Sequence, residues 1–228
     1  MDQNSGAIAL VGSGEYSVQM QELEKELLHL SISRGKKNTF IQIPTASSHE
    51  GDFSREKWKR LGQEQSDRIG SECIYLPIHE REDAFNQDFV EKIKDAGLVY
   101  FSGGDPHRVA TIFNNSPLWD AIVSEWKSGT SLAGCSAGAM AFGETIMGIR
   151  KSHHSQGLGL LTGIEVIPHY DKMLGWLPDR VTSFIARSVS DATLLGIDEN
   201  TALVYTDAWR KFGRGNVHVL RGVLEIEE

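Results

Sequence analysis

The segment Gly134-Cys135-Ser136-Ala137-Gly138 directly follows the apolar run Ser131-Leu132-Ala133 and fits the pattern G-x-S-x-G. In that pattern a strand ends, the chain turns sharply, and a helix begins, here expected over Ala137 to Phe142. The two glycines let backbone pass close on either side of a strained serine, whose hydroxyl is pushed out at the carboxyl edge of a sheet. A helix N-terminus stabilises negative charge there, and the Ala137 N–H can point at an oxyanion. The same residues also suit an ordinary tight strand-to-helix turn, because Gly and Ser are common in loops. The apolar strand before, the small-residue helix after, and the partners below favour a nucleophile.

A serine hydroxyl attacks only when a base takes its proton. Of the eight histidines, His169 in Ile167-Pro168-His169-Tyr170-Asp171 ends a β-type run, which places it on the carboxyl edge beside Ser136. His29, His49, His79 and His107 read as loop or surface histidines. His153 and His154 form a pair in a polar loop, and His218 is expected to face outward from a late strand. A second oxyanion donor is expected from Phe101-Ser102-Gly103-Gly104-Asp105, where Gly103 offers an N–H with no Cβ in the way. A phosphate-binding turn or a plain helix entry would look the same. Gly12-Ser13-Gly14-Glu15 does not complete the dinucleotide pattern G-x-G-x-x-G. No His/Cys/Asp cluster has metal-ligand spacing, so no metal or cofactor is expected.

These residues need a sheet to carry them. Strands are expected at Ala7 to Val11, Thr39 to Ile43, Cys73 to Leu76, Leu98 to Phe101 and Thr130 to Ala133. Between them lie helical segments at Val18 to Ser33, Ser54 to Ile69, Gln87 to Asp95, Pro106 to about Phe113, and Leu118 to Lys127. This order implies a mostly parallel α/β sheet with helices on both faces and ligands outside the strand carboxyl ends. The last third holds β-type runs at Val166 to His169, Ala192 to Ile197, Ala202 to Thr206, Val217 to Leu220 and Val223 to Ile226. They suggest an antiparallel extension of the same sheet. No linker or repeat interrupts residues 1–228, which reads as a single domain.

The net charge of -8 and the lack of a Lys/Arg run argue against nucleic-acid binding. No stretch is long and apolar enough to span a membrane. The first residues lack the basic and apolar regions of a signal peptide. The cysteines, Cys73 and Cys135, stand far apart and do not indicate a disulfide framework, so a cytoplasmic location is expected.

The elbow GCSAGAM, the turn FSGGD, the strand end IPTAS (Ile43 to Ser47), the segment GLGLLTGIEVIPHYD (Gly157 to Asp171) and GIDENTALV (Gly196 to Val204) resemble the peptidase E and cyanophycinase family of serine peptidases. That family shares the core of class I glutamine amidotransferases. The resemblance covers nearly the whole chain in one order. It implies a nucleophile at Ser136, a base at His169, oxyanion donors at Gly103 and Ala137, and small peptides bearing acidic or β-linked aspartyl groups as substrates.

The sequence departs from the family where the triad acid belongs. The stretch Ile149-Arg150-Lys151-Ser152-His153-His154 holds no carboxylate. Asp171 is the acid expected to orient His169, by a bend that folds it back onto the imidazole as in the amidotransferase relatives. Glu144 and the turn carrying Asp198 and Glu199 supply the other candidates. The arginine-rich run of cyanophycinases is not reproduced, since Lys172 and Arg180 are spaced differently. The expected function is a serine peptidase or related amide hydrolase. The alternative is a non-catalytic amidotransferase-like domain that binds a small ligand or partner, which the missing acid supports. A glutamine amidotransferase is disfavoured because Ser136 stands where those relatives use Cys. A small peptide is the expected partner, and a homodimer is compatible with this reading.

Overall fold

The computed structural model describes residues 4–147, 154–176 and 191–227. Five strands run parallel: β1 (Ile8–Val11), β2 (Thr39–Ile43), β3 (Glu72–Tyr75), β4 (Leu98–Phe101) and β5 (Ser131–Cys135). Helices α1 (Gln21–Ser33), α2 (Asp52–Ile69), α3 (Gln87–Ile93), α4 (Pro106–Phe113), α5 (Pro117–Lys127) and α6 (Ala137–Ala141) lie between or after them. Then follow β6 (Thr145–Ile146), β7 (Ser155–Gln156), β8 (Ile164–Ile167), α7 (Tyr170–Trp176), β9 (Thr193–Ile197), β10 (Thr201–Tyr205), β11 (Trp209–Gly213), β12 (Val217–Arg221) and β13 (Ile226–Glu227).

The main sheet has the order β13-β11-β10-β1-β5-β4-β2-β3, with β10 antiparallel to β1 and β11 antiparallel to β10. The expected mostly parallel α/β sheet with antiparallel strands near the C-terminus is therefore present. The late strands do not all join it, however. β8, β9 and β12 form a separate three-stranded sheet, and β6 pairs with β7 in a short ribbon. The strand β11 was not legible, because Arg210 and Lys211 sit exposed in a short segment. The Val18 helix begins as a 3-10 turn at Val18–Met20 before α1.

Alternation along the buried strands explains the two helical layers. Ile8, Leu10, Ile41, Val99, Phe101 and Leu132 point to one face and pack with residues of α3 to α6. Ala7, Ala9, Val11, Phe40, Tyr100 and Cys135 point to the other face and pack with α1 and α2. Local signals set the helix starts. The Asp105 carboxylate accepts the His107 N–H at 2.9 Å with Pro106 in the first turn, and Ser116 Oγ accepts the Trp119 N–H at 3.1 Å with Pro117 behind it. Among the described residues, no helix is long and apolar enough to cross a membrane.

The two sheets meet at the carboxyl end of β1. Val11 O accepts the Ser136 N–H at 2.8 Å, the Gly12 N–H donates to Thr201 O at 2.9 Å, and Gly12 O accepts the His169 N–H at 3.3 Å. A Cβ on Gly12 would lie 2.2 Å from Asp198 O and 2.6 Å from Ile197 O. Both obstacles are backbone and cannot swing away. Gly12→Ala is therefore expected to cost about 1–3 kcal/mol of stability, read as a lower urea midpoint, together with a loss of activity from displacement of the 198–200 turn.

Glu24 on α1 is fully buried and accepts a hydrogen bond from the Gln65 side-chain amide. Burial pushes its carboxyl from 4.5 up to about 8. The folded state thus holds a proton that the unfolded chain releases. This group's contribution is complete below about pH 4.5 and shrinks by about 1.4 kcal/mol per pH unit until pH 8. Glu24→Gln should flatten that fall, so urea midpoints of variant and parent should diverge in the variant's favour between pH 5 and pH 8.

Candidate active site

Ser136 follows β5 in the conformation φ 50, ψ -106, a left-handed-side geometry that costs a non-glycine residue energy. The motif's glycines permit it: a Cβ on Gly134 would lie 2.6 Å from the Gly138 carbonyl carbon. The turn presents Ser136 Oγ to His169 Nε2 at 3.1 Å. His169 follows β8 and also has a positive φ of 51. Its other nitrogen, Nδ1, lies 3.1 Å from Glu199 Oε1. The histidine and glutamate side chains are 41% and 31% exposed, so the pair faces solvent on one side.

Asp171 does not touch the imidazole. It lies in the first turn of α7, and its Oδ1 accepts the Glu199 N–H at 3.0 Å. The expected bend back onto the ring is replaced by a helix that starts right after His169 and aims Asp171 at the neighbouring turn. The carboxylate against His169 is Glu199, one of the candidates from the 198–199 turn. Its neighbour Asp198 turns the opposite way, is buried, accepts the Asn216 N–H at 2.8 Å and lies 3.2 Å from His218 Nε2. His218 therefore faces inward, against Asp198 and the Tyr170 ring, rather than outward as expected. Glu144 is occupied elsewhere, accepting the Gly163 N–H at 3.2 Å.

Ala137 opens α6, so its N–H has no acceptor within that helix. Gly103 lies beside Ser136 as expected, since a Cβ there would stand 3.3 Å from Ser136 Cβ. Its N–H, however, donates to Glu15 Oε1 at 2.9 Å. The Cys135 thiol points away from Ser136 and donates to Glu15 Oε2 at 3.0 Å. Burial, reinforced by Glu15, pushes that thiol well above its usual range, so it stays protonated and unreactive. The sequence flagged Gly12-Ser13-Gly14-Glu15 only as an incomplete dinucleotide turn, and its glutamate was missed. His107 Nδ1 contacts Ser155 Oγ at 2.5 Å, and Tyr75 OH lies 3.3 Å from His79 Nε2. His153, Arg150, Lys151 and Arg180 lie outside the described residues. Among the described residues no His/Cys/Asp/Glu group could hold a metal ion.

The family model for peptidase family S51 matches residues 8–211. The chain is 22% identical over 231 residues to a cyanophycinase of Synechococcus elongatus, an alignment that covers 95% of this chain and 68% of the relative. A cyanophycinase of Geminocystis herdmanii is 22% identical over 230 residues, covering 95% and 80%. Among solved structures, that of a peptidase from an acI-B1 Actinobacterium superposes with a TM-score of 0.91 at 46% identity, covering 96% of this chain and 92% of that one.

The contacts of the three acids separate their roles. Glu199→Gln should lower kcat by about 10²- to 10⁴-fold with little change in KM, because the imidazole loses the carboxylate that fixes its tautomer. Asp171→Asn, which acts only through the Glu199 backbone, should lose roughly 10-fold or less. Glu144→Gln should leave turnover intact. Steady-state kinetics of the three variants checks the order.

Proposed function

Since the chain belongs to peptidase family S51 and is a serine-type peptidase, we propose that it cleaves short peptides through Ser136, with His169 as base and Glu199 as the acid that orients it. The observation that carries this reading is the continuous relay from Ser136 Oγ to His169 Nε2 and from His169 Nδ1 to Glu199, each step 3.1 Å. His169 takes the Ser136 proton as Oγ attacks the peptide carbonyl carbon. The tetrahedral oxyanion forms beside the Ala137 N–H and the Gly103 turn. His169 then returns the proton to the leaving amine, and water repeats the cycle on the acyl-enzyme. Glu199 holds the Nδ1–H and offsets the imidazolium charge, as a glutamate does in other Ser-His-acid hydrolases.

The non-catalytic alternative drew its support from the empty acid position after the elbow. Glu199 supplies an acid from another direction, which favours the catalytic reading. A preference for acidic or aspartyl peptides comes from the family resemblance and from the cyanophycinase relatives. We carry it as the first substrate class to assay.

A fluorophosphonate probe should label Ser136 in folded protein, located by peptide mapping. Ser136→Ala should abolish labelling and lower kcat by roughly 10⁴- to 10⁶-fold. Undiminished aspartyl-dipeptide hydrolysis by Ser136→Ala would overturn the assignment.

A further inference from the structure

His169 and Glu199 belong to different segments, and each has a buried neighbour in sequence. Tyr170 follows the base and Asp198 precedes the acid, and both are 6% exposed. The two neighbours converge on one side chain, His218 of β12. Its Nε2–H donates to Asp198 Oδ1 at 3.2 Å, and its ring centroid lies 4.7 Å from that of Tyr170, with the planes tilted by 44°. The ladder sets this meeting point. β12 runs antiparallel to β9, with His218 opposite Gly196. A Cβ on Gly196 would stand 2.6 Å from Cγ and Cδ2 of Tyr170, so the bare glycine lets that ring lie against β9 beside the imidazole. The second Asp198 oxygen, Oδ2, accepts the Asn216 N–H at 2.8 Å, and the Asp198 N–H donates to Asn216 O at 3.1 Å. With both oxygens and its own N–H engaged, Asp198 fixes the peptide that leads to Glu199.

The segments 169–171 and 198–199 are therefore tied twice. Asp171 Oδ1 accepts the Glu199 N–H at 3.0 Å directly. The other tie runs from the Tyr170 ring through the His218 imidazole to the Asp198 carboxylate. One tie alone acts as a hinge about which the acid can turn, and a second tie at a separate point removes that rotation. We propose that His218 is a positioning residue for the hydrolytic relay: it braces the base against the acid, so that the Glu199 carboxylate stays within hydrogen-bond reach of His169 Nδ1. This rests on the serine-peptidase reading above. His218 contacts neither relay side chain through a listed bond of its own; it acts through Tyr170 and Asp198. A displacement of about 1 Å in such a pair costs on the order of 100-fold in rate, so the brace shows in the chemical step rather than in substrate binding.

Two substitutions separate the contacts, and at 37% exposed the His218 side chain can be replaced without opening a core cavity. His218→Phe keeps a ring against Tyr170 and removes the donor to Asp198, whereas His218→Gln keeps an N–H donor. On an aspartyl dipeptide, His218→Phe should lower kcat by about 10- to 100-fold with KM within about twofold, and His218→Gln should restore kcat to within about fivefold of the parent. In a Glu199→Gln background, His218→Phe should cost less than about twofold, because no carboxylate is left to orient. Crystal structures of parent and His218→Phe read the distance from His169 Nδ1 to Glu199 Oε1, which should lengthen beyond about 3.5 Å. If His218→Phe does not fold, His218→Thr, which suits a strand but is too short to reach Asp198, carries the same expectations. An unchanged kcat, a lower urea midpoint as the sole effect, an undiminished loss in the Glu199→Gln background, or an unchanged distance would each overturn the brace. Failure of the peptidase reading is seen separately, as hydrolysis undiminished in Ser136→Ala, and the crystallographic distance then still decides whether His218 holds the pair together.

Discussion

Everything in the site hangs on the last residue of β1 and the glycine that follows it. The carbonyls of Val11 and Gly12 accept the N–H groups of Ser136 and His169, both held at positive φ. Each of those residues is in a costly backbone conformation, and neither would keep it without a partner fixed on a buried strand. β1 is such a strand, with β5 parallel on one side, β10 antiparallel on the other, and both faces covered. The Gly12 Cα, bare of a side chain, lets the 197–198 backbone come within contact distance. Ser136, His169 and the turn that carries Glu199 are thereby referred to one short piece of main chain, and relative error among them stays small.

This arrangement divides the relay between two sheets. Ser136 belongs to the main sheet through β5, while His169 follows β8 of the small sheet. Glu199 lies where the chain crosses from β9 in the small sheet to β10 in the main one. Two neighbours stiffen that crossing. Asp198 is tied to Asn216 and His218, and the Glu199 N–H is tied to Asp171. Adjacent acids thus do different work: Asp198 is buried and structural, and Glu199 is partly exposed beside the imidazole. Because the His169–Glu199 pair is substantially exposed, its value lies in orientation more than in stability.

The strands and helices of the first two-thirds were legible because their signals are local. Apolar runs of four or five residues, apolar residues at helical spacing and the proline that opens the 106–113 helix located the elements from Ile8 to Cys135 to within about three residues. Ser136 and His169 were legible for the same reason, each standing at or just past the end of a β-type run. The partition of the late strands between two sheets was not, since pairing partners are set by tertiary packing and short β-type runs look alike. The acid failed on the same ground. Asp171 is nearest to His169 in sequence, yet the helix beginning at Tyr170 turns it away, while Glu199 comes close only through the crossing between sheets.

Glu15 shows why a motif can hide a neighbour. The x of G-x-S-x-G faces away from the serine, so Cys135 enters the opposite layer and meets whatever follows β1. The turn after β4 approaches the same point from the other side through Gly103. A single carboxylate between them ties the elbow to the turn after β4, and its two oxygens are both committed to neutral donors.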